Sequence, residues 1–186
     1  MKIPFLSLLL GMVLVPVLQA QTPEKKLAWN NTPLSWQDFE GVPDALNPFD
    51  ANTNSGFSYS WSLSVKGGES VFLYEVKSWF FPELSWVKNG KKSQELLDHE
   101  QLHFDISELH ARRLRSTLEE LKIDPSSDVK KQLRVLYERT EAARIEMREQ
   151  YDAETRHGEN TAAQQKWAKK VKTDLDSLSG FRTEDQ

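Results

Sequence analysis

Between residues 57 and 122 the sequence changes its repeat once, and that change divides the fold. Phe57, Tyr59, Trp61, Leu63 and Val65 alternate with Ser58, Ser60, Ser62 and Ser64, which is the period of a strand with one buried face. Lys66-Gly67-Gly68-Glu69 reads as a turn, and Val71 to Phe81 is a second aromatic and β-branched run, so the two are expected to form a hairpin. Pro82 interrupts it, and Trp86 to Gly90 reads as a short third strand ending in a turn. From Ser93 to Lys122 there is neither Gly nor Pro, and Leu, Glu and Arg dominate. Ser93 is placed to cap a long helix. Asp124-Pro125 breaks it, Asp128 caps a second long helix to about Gln150, and a third is expected from Thr161 to Leu178. Residues 21–56 read as mostly irregular, with Leu34 to Phe39 as an apolar and aromatic anchor. The expected class is α+β, a small, mostly antiparallel sheet followed by three helices.

The start of the chain constrains location. A basic Met1-Lys2 precedes an apolar run from Ile3 to Val17, and Ala20 offers a small residue for cleavage. Residues 1–20 are therefore expected to be a signal peptide, and residues 21–186 a single domain exported to the periplasm or the exterior. The run is shorter than the ~20 residues that span a bilayer, so no stable membrane anchor is expected after cleavage. The chain has no Cys, which excludes a disulfide framework, a thiol nucleophile and a lipidated cysteine. The net charge of -4 argues against a nucleic-acid partner. Nothing in the sequence fixes an oligomeric state.

The chemistry is concentrated in His99-Glu100-Gln101-Leu102-His103, an H-E-x-x-H pattern on the first long helix. Two imidazoles one turn apart face the same way, about 6 Å apart along the axis, within reach of one tetrahedral Zn2+. Glu100 is then placed to take a proton from water, the arrangement of a zinc metallopeptidase acting on a peptide or protein. A helix after a small antiparallel sheet is also the zincin-like order. A catalytic zinc takes a third protein ligand, and the H-E-x-x-H-x-x-G-x-x-H extension fails because Ile106 and Leu109 stand at its Gly and His positions. His110 falls within roughly 20° of His99 around the helix but ~16 Å along it, so it is expected to be interhelical, outer-shell or on the surface. Glu119 and Glu120 lie ~24 Å or more beyond His103 on the same helix.

His157 is the preferred third ligand. Two long helices with a short connection form an antiparallel hairpin, which returns the chain to the motif's level near Gln150 and carries residues 151–158 past His99 and His103. Asp152 and Glu154 are rival ligands, and either could instead orient an imidazole. Tyr151 is a candidate donor to an oxyanion or a packed aromatic. Asp98 and Asp105 flank the motif as supporting or solvated carboxylates. Trp29, Trp36, Trp61, Trp79 and Trp86 are expected to fill the core of the sheet rather than line a groove.

Three blocks carry a resemblance: Leu34-Ser35-Trp36-Gln37-Asp38-Phe39-Glu40-Gly41-Val42-Pro43-Asp44, then Leu97 to Asp105, then Tyr151-Asp152-Ala153-Glu154-Thr155-Arg156-His157-Gly158. In this order the chain resembles a family of bacterial secreted proteins of unknown function described as Zn-dependent proteases. The resemblance implies zinc on His99 and His103 and a catalytic Glu100, and His157 matches the family's later T-x-H-G element. The rival expectation is a metal-stabilised envelope binding protein without turnover, in which the histidines are structural.

Overall fold

The computed structural model describes residues 25–183 except 68, 125 and 126, so the expected signal peptide lies outside the described residues. The alternating segment and the run after it form one long hairpin, β3 (Ser55–Lys66) and β4 (Glu69–Phe80), in register from Ser55 opposite Phe80 to Lys66 opposite Glu69. The period of two places Phe57, Tyr59, Trp61 and Leu63 on the same face as Val76, Tyr74 and Phe72, packed on a helical core. A two-residue strand, β1 (Leu27–Ala28), pairs with the end of β4 and completes a three-stranded antiparallel sheet. The segment at Trp86 is a strand, β5 (Trp86–Val87), but it pairs with β2 (Ala51–Asn52) in a separate two-stranded sheet rather than joining the hairpin. Pro82 opens a short 3-10 turn between β4 and β5, and the turn carries the chain out of the first sheet.

Three helices follow: α1 (Gln94–Glu120), α2 (Val129–Thr155) and α3 (Thr161–Ser177). Ser93, Asp128 and Asn160 each accept a hydrogen bond from a first-turn amide, from Leu96, Lys131 and Ala163. The fold is thus α+β, with small antiparallel sheets followed by three helices. One boundary differs from the sequence reading. The helix α2 does not stop near Gln150 but continues to Thr155 and ends on Arg156 in the left-handed region at φ 52°. Met147, Tyr151 and Thr155, four apart, are all buried, so one packed stripe holds the last turns in place.

The helix α1 is central. Of its 27 residues 15 are buried, against six of 27 in α2. Its Leu102, Ile106 and Leu109 pack with Met147, Tyr151, Trp167, Val171 and Leu175 of the other helices. Further along, Ala111, Leu114 and Leu118 meet the hairpin and the start of α2. On a third side Phe104 meets Phe80, Phe39, Leu34 and Val87. The anchor block is thereby explained structurally: Leu34 and Phe39 are buried, and the Leu34 amide donates to Gln101 Oε1 at 2.7 Å. Among the described residues no helix is long and apolar enough to cross a membrane.

His110 is interhelical. It is 1% exposed, with Nε2 3.4 Å from Met147 Sδ and 3.3 Å from Arg113 Nη1. Burial, together with Arg113, Arg144 and Lys170 around it, lowers its pKa from 6.5 to about 3. The unfolded chain therefore takes up this proton at a higher pH than the folded one, and stability is lost as pH falls from 6.5 toward about 3. His110→Leu should remove that component. The denaturant midpoint should then fall less between about pH 7 and about pH 4 than in wild type; equal slopes would show that the imidazole is not held neutral.

Candidate metal centre

The helix α1 is held against the sheets by its own backbone carbonyls. Thr53 Oγ1 donates to Glu100 O at 3.2 Å and Ser55 Oγ donates to His103 O at 3.3 Å. These contacts aim His99, Glu100 and His103 into a cleft of about 650 Å³. One wall is the segment 48–53, and the opposite wall is Arg148 and Asp152 of α2 with the turn 156–159. Because α2 runs through Thr155, Asp152 stands on a rigid helix, one turn after Arg148.

Three donor atoms converge in the cleft. His99 Nε2 and His103 Nε2 are 3.3 Å apart, and Asp152 Oδ1 lies 3.3 Å from the first and 3.1 Å from the second. Tetrahedral zinc with bonds of 2.0–2.1 Å requires donor separations of about 3.3–3.4 Å along each edge. The triangle matches one face of that tetrahedron. Its protonation also asks for a cation. His99 Nδ1 faces Gln164 Oε1 at 3.2 Å, an acceptor, so the proton belongs on Nδ1 and Nε2 presents a lone pair. That lone pair meets a carboxylate and a second imidazole. Burial pushes the Asp152 carboxyl up, but where an imidazole carries its proton on Nε2, hydrogen bonds and charge from His103 and His99 hold the carboxyl well below the usual carboxylate range, so a proton or a cation between these groups stabilises the carboxylate. His99, His103 and Asp152 form a group with metal-ligand spacing.

His157 stands beside this triangle and not in it. Its Nδ1 is 3.5 Å from Asp152 Oδ1, its side chain is 44% exposed, and its ring lies on Phe49 with centroids 4.0 Å apart. It belongs to a left-handed run, with Arg156 at φ 52°, His157 at φ 54° and Gly158 at φ 90°. Glu100 is 4% exposed, lines the cleft, and has Oε2 buried without a hydrogen-bond partner. Tyr151 points away from the cleft. It is fully buried, its ring stacks on His99 at 4.7 Å, and its hydroxyl lies 2.7 Å from Gln164 Oε1 and 3.2 Å from His99 O. Burial raises the pKa of that hydroxyl.

The remaining candidates are used elsewhere. Glu154 accepts from Trp167 and Gln150, Asp105 accepts from Trp29 and Gln101, and Asp98 accepts from Gln94. Glu119 accepts from Tyr74 at the far end of α1. None of the five early tryptophans lines the cleft. Sequence reasoning missed Gln164, Thr53 and Phe49. None carries a local signal, because each reaches the site only through the packing of its element.

The segment that supplies the cleft's helices is also the part of the chain with a known likeness. Residues 85–158 match the family described as bacterial protein of unknown function (DUF922). This is the family that the three sequence blocks resemble, and the matched segment contains His99, Glu100, His103, Asp152, His157 and Gly158 but not Gln164. Among curated proteins and among solved structures nothing matches the chain.

Gly158 tests the packing of the site. A Cβ there would stand 3.2 Å from His99 Cγ and 3.3 Å from His99 Cβ, on a backbone at φ 90°. Gly158→Ala should cost about 1–2 kcal/mol in backbone strain and push the His99 ring off its position. Chemical denaturation and metal content measured together should both fall; full retention of both would show that the close approach carries no constraint.

Proposed function

We propose that the protein is an exported, zincin-like zinc peptidase whose metal is held by His99, His103 and Asp152. The observation that carries this reading is the triangle of donor atoms, 3.1 to 3.3 Å on each side, opening onto a cleft that also holds Glu100. Three ligands leave one tetrahedral position for solvent or substrate, as catalytic zinc sites do. When bound, zinc would supply Lewis acidity, polarising the scissile carbonyl and lowering the pKa of a water toward about 7.

The chain's own groups do the rest. Glu100 Oε2, buried and without a partner, takes the proton of the attacking water and passes it to the nitrogen of the leaving amine as the C–N bond breaks. His157, half-exposed at the mouth, is a donor beside the reacting carbonyl's developing charge in this reading. The role of export rests on the expected leader, and that of a peptide substrate on the H-E-x-x-H pattern facing an open cleft.

The rival reading is a closed, non-catalytic site with His157 as a fourth ligand, favoured by its 3.5 Å approach to Asp152. Two measurements separate them. Glu100→Gln should keep about one zinc per chain and lose peptidase activity by ~10²-fold or more; unchanged turnover would end the proposed mechanism. Asp152→Ala should lose the metal, while His157→Ala should keep it and lose rate. If His157→Ala releases zinc as readily as Asp152→Ala, the closed site is the better account.

A further inference from the structure

We infer that Gln164 is a positioning residue that selects the metal-binding tautomer of His99. The inference rests on the metal reading above. Gln164 lies on α3, 65 residues from His99, and its Oε1 is 3.2 Å from His99 Nδ1 and 2.7 Å from the Tyr151 hydroxyl. The plane of the His99 ring is already fixed. Tyr151 stacks on it with 24° between planes, and the backbone at Gly158 passes close enough that a Cβ would stand 3.2 Å from Cγ. What packing leaves open is which nitrogen carries the proton.

A side-chain amide has one accepting and one donating end, so it can enforce either answer. With the carbonyl toward His99, Nδ1 donates and Nε2 offers its lone pair to the triangle with His103 and Asp152. The Tyr151 hydroxyl then donates to Gln164 Oε1. With the amide turned over, its NH2 faces Nδ1, which must accept, and the proton moves to Nε2. There it points at Asp152 Oδ1, 3.3 Å away, and blocks the metal position. The Tyr151 hydroxyl then accepts from the amide and donates to His99 O, 3.2 Å away. Both networks give the Tyr151 hydroxyl and the His99 Nδ1 a partner, and they differ in which one admits a cation. The two orientations of Gln164 are thus a metal-ready and a metal-blocked state of His99, and bound zinc holds the first. His103 has no such partner, since its Nδ1 is buried and unbonded. Selection by this route therefore acts on His99 alone.

The test compares zinc affinity, by chelator competition, in the wild-type chain, Gln164→Leu and Gln164→Glu, with thermal unfolding of each metal-free form. A carboxylate only accepts, so Gln164→Glu should hold His99 with its proton on Nδ1 and bind zinc as tightly as wild type or more so. Gln164→Leu removes the selection and should weaken zinc by ~10–100-fold, with the metal-free unfolding temperature little changed. Imidazole ¹⁵N shifts of metal-free Gln164→Glu should show His99 protonated at Nδ1, a readout that survives even where the Leu variant fails to fold. Zinc affinity in Gln164→Leu equal to wild type, or Nε2 protonation in Gln164→Glu, would overturn the inference while leaving the metal centre intact. A wild-type chain that holds no zinc would overturn the metal reading and this inference with it.

Discussion

The structure depends on a single constraint: α1 is buried on nearly all sides, yet it is rich in polar residues. A buried polar group without a partner costs roughly 1–3 kcal/mol, so those on α1 draw partners from the helix itself or from other elements. Gln101 meets the Leu34 amide, Asp105 meets Trp29, and Ser107 meets Ser55. Glu108, 1% exposed, is paired with Arg112 and Arg115, and those arginines extend to the carbonyls of Leu175, Val76 and Phe181. These pairings fasten the N-terminal segment, the hairpin and the C-terminal end around one helix. Such a buried ion network is valuable for fixing a single arrangement more than for net stability.

The exceptions mark the site. Among the described residues five buried side-chain atoms have no hydrogen-bond partner, and three of them, Glu100 Oε2, His103 Nδ1 and Asp152 Oδ1, belong to residues lining the cleft. The other two are Ser78 Oγ and His110 Nδ1, so most of the unmet groups gather at the cleft, and Glu100 Oε2 and Asp152 Oδ1 face the place where the proposed cation and reacting proton would sit. The same helix therefore packs against the core on three sides and lines the cleft on the fourth.

Much of this was legible in the sequence because it is local. The period of two gave the hairpin, and the stretch without Gly or Pro gave α1, with capping residues at Ser93 and Asp128 that the structure retains. The pairs β1 with β4 and β2 with β5 were not legible, since two residues carry no period. The end of α2 was obscured by the mostly polar residues 152–156, although the spacing of Met147, Tyr151 and Thr155, all buried, was there to be read. That one boundary governs which side chain stands beside the two imidazoles. With α2 ending near Gln150, the histidine of the following loop is the natural choice; with α2 running to Thr155, a helical carboxylate reaches the two imidazoles first.

The distinction between Asp152 and His157 is also one of precision. A donor on a helix inherits the helix's position, whereas a donor on a left-handed loop depends on a conformation that L-residues adopt at a cost of about 1–2 kcal/mol each. Arg156 and His157 both sit in that region, and Gly158 extends it. The strain serves the close approach of Gly158 to His99 and brings His157 to the mouth of the cleft without moving Asp152. Charge points the same way. Under the proposed reading, two neutral imidazoles and one carboxylate would leave a dication with a net charge of +1, more electrophilic than two carboxylates would. Gln164, being neutral, would orient His99 without adding to the negative charge. A carboxylate in its place would hold the imidazole as firmly but would weaken the pull of a bound metal on an oxygen beside it, which is a physical reason for an amide at that position under the proposed reading.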